Sequence, residues 1–117
     1  MKFPILKQGI FLIVSIQTIL SDSDLIYLEH DLFVNVSEHR SKGIVFDITS
    51  LDVMDSFSTR TLRNIAYTVR LRGAEMVIVG IQPEVAFAMI QLGLRLDDVK
   101  TALNLEDGIL LLQDHFK

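Results

Sequence analysis

Ile44-Val45-Phe46-Asp47-Ile48-Thr49-Ser50-Leu51-Asp52-Val53-Met54-Asp55-Ser56 is the stretch that decides how this chain folds. Its first five residues are almost all apolar, as a central strand covered on both faces requires. An acidic loop follows, and Ser56 opens a helix expected to run to about Arg72. Helix N-termini carry unpaired N–H groups and a partial positive charge. A hydroxyl placed there caps the helix, and the same place stabilises a phosphate. Ser56 is therefore read both as the cap of its helix and as a candidate switch, because phosphorylation would add about −1.5 to −2 charges and three acceptor oxygens.

Working outward, residues 4–9 and 10–17 read as two β-branched strands joined by a tight turn near Gln8-Gly9. The helix-start cluster Ser21-Asp22-Ser23-Asp24 precedes Leu25, Leu28, Leu32 and Val36, spaced by three and four as on one helical face. Ser41-Lys42-Gly43 is expected to stop that helix. The helix from Ser56 should turn Leu62, Ile65, Ala66 and Val69 inward and close at Gly73. Residues 75–80 make a fourth strand, and Pro83 suits the first turn of a helix that ends at Gly93. Residues 101–103 form a short edge strand. A final helix runs from Asn104 or Leu105 to His115, with Ile109 and Leu112 inward. This order predicts one α/β domain over residues 1–117, with a mixed sheet of about five strands and about four helices mainly on one face.

The bulk numbers exclude several classes. With 117 residues, half of them hydrophobic and 22% charged, the chain has material for one continuous core and none of the composition of a disordered segment. Cysteine is absent, which removes disulfides, thiolate catalysis and Cys-based zinc sites. A net charge of −4 disfavours nucleic acid, whose phosphates need clustered cations. No window approaches the roughly 20 apolar residues of a membrane span. The apolar run at residues 10–16 is of strand length, no cleavage site follows it, and no signal peptide is expected.

Other groups carry weaker signals. Asp47, Asp52 and Asp55 resemble a metal-binding cluster, but a phospho-aspartate receiver also needs an acidic pair after its first strand. Here that strand ends in Ser15-Ile16-Gln17, so Asp47 is expected to satisfy turn amides and Asp55 to shape the loop. Arg60, Arg63, Arg70 and Arg72 are either a docking patch or a solvated face, with Arg60, four residues after Ser56, the main candidate for contact. The helix at 83–92 is apolar around most of its circumference, which suits an interface. His30, His39 and His115 pair with no serine at a catalytic spacing, and the six glycines read as local punctuation with no phosphate-binding pattern. Neither a metal nor a cofactor is expected.

Residues 46–57, Phe-Asp-Ile-Thr-Ser-Leu-Asp-Val-Met-Asp-Ser-Phe, and residues 72–83, Arg-Gly-Ala-Glu-Met-Val-Ile-Val-Gly-Ile-Gln-Pro, resemble STAS domains of the anti-sigma-factor-antagonist type, over essentially the whole chain. Within that family they are most similar to the small STAS-only components of the stressosome. The resemblance implies a cytoplasmic regulatory protein without catalysis. It would sit in an oligomeric scaffold with RsbR-like STAS proteins and sequester an RsbT-like serine kinase, which is released when it phosphorylates Ser56. Asp52, Asp55, Phe57, Ser58, Thr59 and Arg60 would form the kinase-facing loop. The broader family continues Asp-Ser with Ser or Thr and then Gly. Phe57 and Ser58 stand in those places here, which confines the inherited phosphoacceptor role to Ser56. Two alternatives stay open. One is a monomeric anti-anti-sigma factor that binds an anti-sigma kinase directly, and the other is a small anion- or nucleotide-binding module using the same helix N-terminus.

Overall fold

Ile44, Val45 and Phe46 are completely buried, and the rest of the architecture is arranged around them. The computed structural model describes residues 5–18, 20–95 and 97–117. In chain order these form β1 (Ile5–Gln8), β2 (Phe11–Ser15), α1 (Asp22–His39), β3 (Gly43–Asp47), α2 (Ser56–Leu71), β4 (Glu75–Val79), α3 (Pro83–Gln91), β5 (Lys100–Ala102) and α4 (Leu105–His115). The sheet order is β1-β2-β3-β4-β5, which puts β3 at its centre. β2, β3, β4 and β5 run parallel, and β1 returns antiparallel at the edge, with Ile5 opposite Val14 and Gln8 opposite Phe11. Pro4, expected to open the first strand, lies outside the described residues.

Alternation along β3 divides the core. Ile44 and Phe46 join Leu12, Val14, Met76 and Ile78 on one face, under Leu28, Leu32 and Val36 of α1, Leu62, Ile65 and Val69 of α2, and Val85 and Met89 of α3. Val45 points the other way, with Ile13, Val77 and Val79, and is covered by Leu112 of α4. Three helices on one face and one on the other match the expected mixed sheet with its helices mainly on one side.

The helix ends follow local chemistry with two departures. Ser21 caps α1, its Oγ accepting from Asp24 N at 3.1 Å, and Asp22 and Asp24 add negative charge to the positive end of the helix. α1 then ends on Arg40 in the left-handed region, φ 51°, rather than on a glycine. Gly43 belongs to β3, where an added Cβ would lie 2.8 Å from both Leu112 Cδ1 and Phe11 Cδ1. Gly108 is not punctuation either. It lies inside α4, and an added Cβ would stand 2.6 Å from Val79 Cγ1, so its bare backbone lets the helix settle onto the sheet.

One polar network holds the C-terminal end of α2. Tyr67 Oη donates to Asp98 Oδ1, Arg95 N donates to Asp98 Oδ2 at 2.8 Å, and Arg70 Nη2 donates to Asp98 O at 3.0 Å and Glu75 Oε1 at 3.2 Å. Arg70 is thus tied to its own fold and is no part of a free docking patch. The hydrogen bond from Tyr67 lowers the pKa of Asp98, and donating it raises that of Tyr67. The carboxylate's contribution to stability is present above its unfolded pKa of about 4 and is lost as pH falls further; the phenol's is present below about 10 and is lost as pH rises beyond it. Tyr67→Phe should flatten both flanks of the stability–pH curve, read from denaturation midpoints, and leave the neutral plateau nearly level.

Candidate functional site

The loop after β3 is pinned before it reaches α2. Asp47 Oδ1 accepts from Thr49 N at 3.0 Å and from Thr49 Oγ1 at 2.6 Å, the turn-satisfying role expected of it. Ile48 N donates to Val79 O and Leu51 N to Ile48 O, and both side chains are buried. Gln82 Nε2 donates to Thr49 O at 2.9 Å, and Ser50 Oγ donates to Gln17 Oε1 at 3.1 Å. The loop is therefore bracketed from both neighbouring strand ends. It presents Asp52 and Val53 to solvent while Met54 turns partly inward.

The helix start differs from the expected one by a single residue. Asp55 is the N-cap: its backbone is extended, and its Oδ1 accepts from Ser58 N at 2.7 Å. Ser56 is the first helical residue and does not cap. Asp and Ser cap about equally well, and here the carboxylate takes the place, adding a full negative charge at the positive end of the helix. The Ser56 side chain is left exposed, and its hydroxyl has no hydrogen bond among the described residues.

The other expected contact residues divide between surface and interior. Asp52, Asp55 and Arg60 are exposed and Phe57 is half-buried, with the Arg60 guanidinium carbon 5.8 Å from the Phe57 ring centroid, a cation–π pair. Ser58 and Thr59 are only 5% and 2% exposed, and Thr59 Oγ1 is buried without a partner. Their side chains are not available on the surface that carries Ser56. Ser58 lies about 200° round the helix from Ser56 and faces the core, whereas Thr59, within about 60° of Ser56 on the helical wheel, is buried all the same. Beneath the loop, Phe46, Ile48, Met54, Ser58 and Leu62 line a cavity of about 20 Å³. It has room for a single water, so the floor of this site is not a ligand pocket. Among the described residues, no three His, Cys, Asp or Glu side chains converge as metal ligands would, and no helix is long and apolar enough to cross a membrane.

Sequence reasoning missed which residue caps α2 and which hydroxyls are buried. It identified the exposed serine. It also identified the unpartnered face of α3, where Phe87 is 65% and Ile90 64% exposed while Val85 and Met89 are buried.

Comparison with known proteins is consistent with this geometry. The chain is similar to RsbS of Moorella thermoacetica, determined as a serine-to-glutamate variant. The TM-score is 0.89 and the identity 35%, over 99% of this chain and 98% of that one. A chain in a structure of the molecular architecture of the stressosome, a signal integration and transduction hub, aligns with TM-score 0.82 and 35% identity, over 97% of this chain and 99% of that one. The RsbT co-antagonist protein RsbRA of Bacillus subtilis (strain 168) is 35% identical over 79 residues, 68% of this chain. The match spans only 29% of the length of RsbRA. The family model of the STAS domain matches residues 4–108. That match takes in every element from β1 to the start of α4, and the chain belongs to the STAS domain family.

Proposed function

We propose that this STAS domain is a non-catalytic regulatory scaffold of a stressosome-type assembly in the cytoplasm. It holds an RsbT-like serine kinase beside RsbR-like STAS partners and lets the kinase go when Ser56 is phosphorylated. One observation carries the reading: Asp55 caps α2, so the Ser56 hydroxyl stands exposed and uncommitted at the helix start. The likeness to RsbS, to a stressosome chain and to a protein named for RsbT co-antagonism supports the choice of partners. The serine-to-glutamate form of the RsbS relative supports a serine whose charge matters. The exposed Phe87 and Ile90 of α3 suit a surface that packs against other STAS domains.

The chain supplies only the acceptor. Ser56 Oγ would attack the γ-phosphorus of the kinase's ATP, the bond to ADP would break, and the hydroxyl proton would pass to the kinase. Asp52 and Asp55 flank the new phosphate, so like charge accumulates in the contact surface. Phe57 and Arg60 provide an apolar and a cationic contact for the bound kinase.

Phosphosite mapping by mass spectrometry after incubation with an RsbT-like kinase and ATP tests the assignment. The phosphate should appear on Ser56 and not on the buried Ser58 or Thr59. Modification of either buried hydroxyl, with Ser56 untouched, would refute it.

A further inference from the structure

We infer that a second copy of this chain docks on the outer surface of α1 and α2, about a two-fold axis that lays α1 of each copy on α2 of the other. This surface is distinct from the exposed face of α3, and it does not depend on the assignment of Ser56.

The two helices leave apolar side chains in solvent. Leu71 of α2 is 88% exposed, more than any other large hydrophobic side chain among the described residues, and Ile26 and Phe33 of α1 are exposed as well. Ser37 of α1 lines one cavity with Arg72 at the end of α2, so that side of α1 faces α2. Phe33 and Ile26, four and eleven residues before Ser37, lie on the same side. Patches of this kind mark contact surfaces.

Charge says what covers this one. α1 carries Asp22, Asp24, Glu29, Asp31 and Glu38 and no lysine or arginine, whereas α2 carries Arg60, Arg63 and Arg70 and no carboxylate. The ion pairs among the described residues are Arg70–Glu75, Arg95–Asp97 and His115–Glu75, so none joins the two helices, although they pack side by side. Asp24, Asp31 and Glu38 recur every seventh residue and lie about 100–140° round α1 from Ser37, on the flank turned away from α2. Arg63 shares the flank of Arg70, seven residues on, which reaches away from α1 to Asp98. Asp98 is already held by Tyr67 and Arg95 N. The acidic row and Arg63 therefore cannot meet within one chain.

A second copy brings them together. α1 and α2 run the same way, because each returns from one parallel strand to the next. A two-fold axis along the groove between them turns the acidic flank of α1 and the basic flank of α2 to the same rim. The helix ends are level, since their C-caps, Arg40 and Arg72, line the same cavity. Asp31 and Arg63 each lie nine residues before the cap of their helix. Asp31 of each copy then faces Arg63 of the other, and symmetry supplies the pair twice. Phe33 and Leu71 fall between the two rims, an apolar centre within a charged border. A partner of a single charge sign would match only one of the two helices, whereas a second copy matches both.

Analytical ultracentrifugation of the intact chain, taken to about 1 mM so that even a Kd of that size is visible, tests the proposal. A dimer is expected. Asp31→Arg and Arg63→Asp should each weaken it roughly tenfold or more, because like charges then meet twice in each dimer. Mixed in equal amounts, these two variants should recover the parental affinity as a heterodimer, since opposite charges face each other again at both rims. Leu71→Ser, at an almost fully exposed side chain that the fold does not need, should weaken the dimer as well, and Phe87→Ser on α3 should leave it unchanged. A chain that is monomeric at the highest concentration would overturn the proposal. So would charge reversals or Leu71→Ser without effect, a mixture no tighter than its separate components, or a dimer broken by Phe87→Ser.

Discussion

A Ser56→Glu chain is expected to keep its fold and lose most of its affinity for the proposed kinase partner. The fold should survive because Ser56 is exposed and makes no hydrogen bond among the described residues that glutamate would break. The first turn of α2 otherwise holds no acidic residue, so a carboxylate there is favoured by the helix N-terminus while Asp55 opposes it. These small terms offset one another, and the unfolding free energy should stay within about 0.5 kcal/mol of the parent. The proposed kinase interface has no such balance. A new charge beside Asp52 and Asp55 loses its hydration when the partner docks, and like-charge juxtaposition across an interface costs several kcal/mol. A rise in Kd of roughly 10- to 100-fold is the expected reading, because about 1.4 kcal/mol is a factor of ten. True phosphorylation should exceed it, carrying about −1.5 to −2 charges at neutral pH. Raised salt should restore part of the binding, since screening weakens exposed charge repulsion. An affinity equal to that of the parent, in a chain shown by circular dichroism to be folded, would rule out release by charge.

Periodicity is legible in a sequence, whereas choices between neighbouring residues and close approaches between distant segments are not. Leu25, Leu28, Leu32 and Val36 are all buried because a helical stripe can face only one way against a sheet. The run at Ile44–Phe46 could belong only to a strand covered on both faces, and it is the central one. Asp55 and Ser56, by contrast, are both strong caps, and nothing local decides which takes the place. Ser58 and Thr59 are polar residues that the fold buries, a position that composition argues against. Arg70 became a structural residue through Asp98, 28 positions away. Gly43 and Gly108 owe their identity to side chains from other elements.

Gly80→Ala should be the most damaging single-methyl change near the loop that leads into α2, and the loop should suffer with the fold. Gly80 ends β4 at φ 74°, a conformation that costs an alanine about 1–2 kcal/mol. Its added Cβ would also lie 2.0 Å from Thr49 Oγ1 and 3.0 Å from Thr49 Cα. Rotating the threonine does not solve the clash, because the backbone itself is too near. The hydroxyl is also engaged with Asp47 Oδ1, and Thr49 O holds Gln82 Nε2. Overpacking of this kind adds about 1–3 kcal/mol, so a total loss of about 2–4 kcal/mol is expected from urea denaturation. Gly73→Ala separates the two contributions. Gly73 has a similar φ of 82° but nothing within 4 Å of the added methyl, so it should lose the backbone part alone. The difference between the variants then measures how rigidly Thr49 is held. Because Thr49 anchors the loop that leads to Asp55, Gly80→Ala should also slow phosphorylation of Ser56 under conditions where the chain remains folded, and Gly73→Ala should not. Equal losses of stability and equal phosphorylation rates would mean that the loop yields freely, and that its hydrogen bonds do not set the position of Ser56.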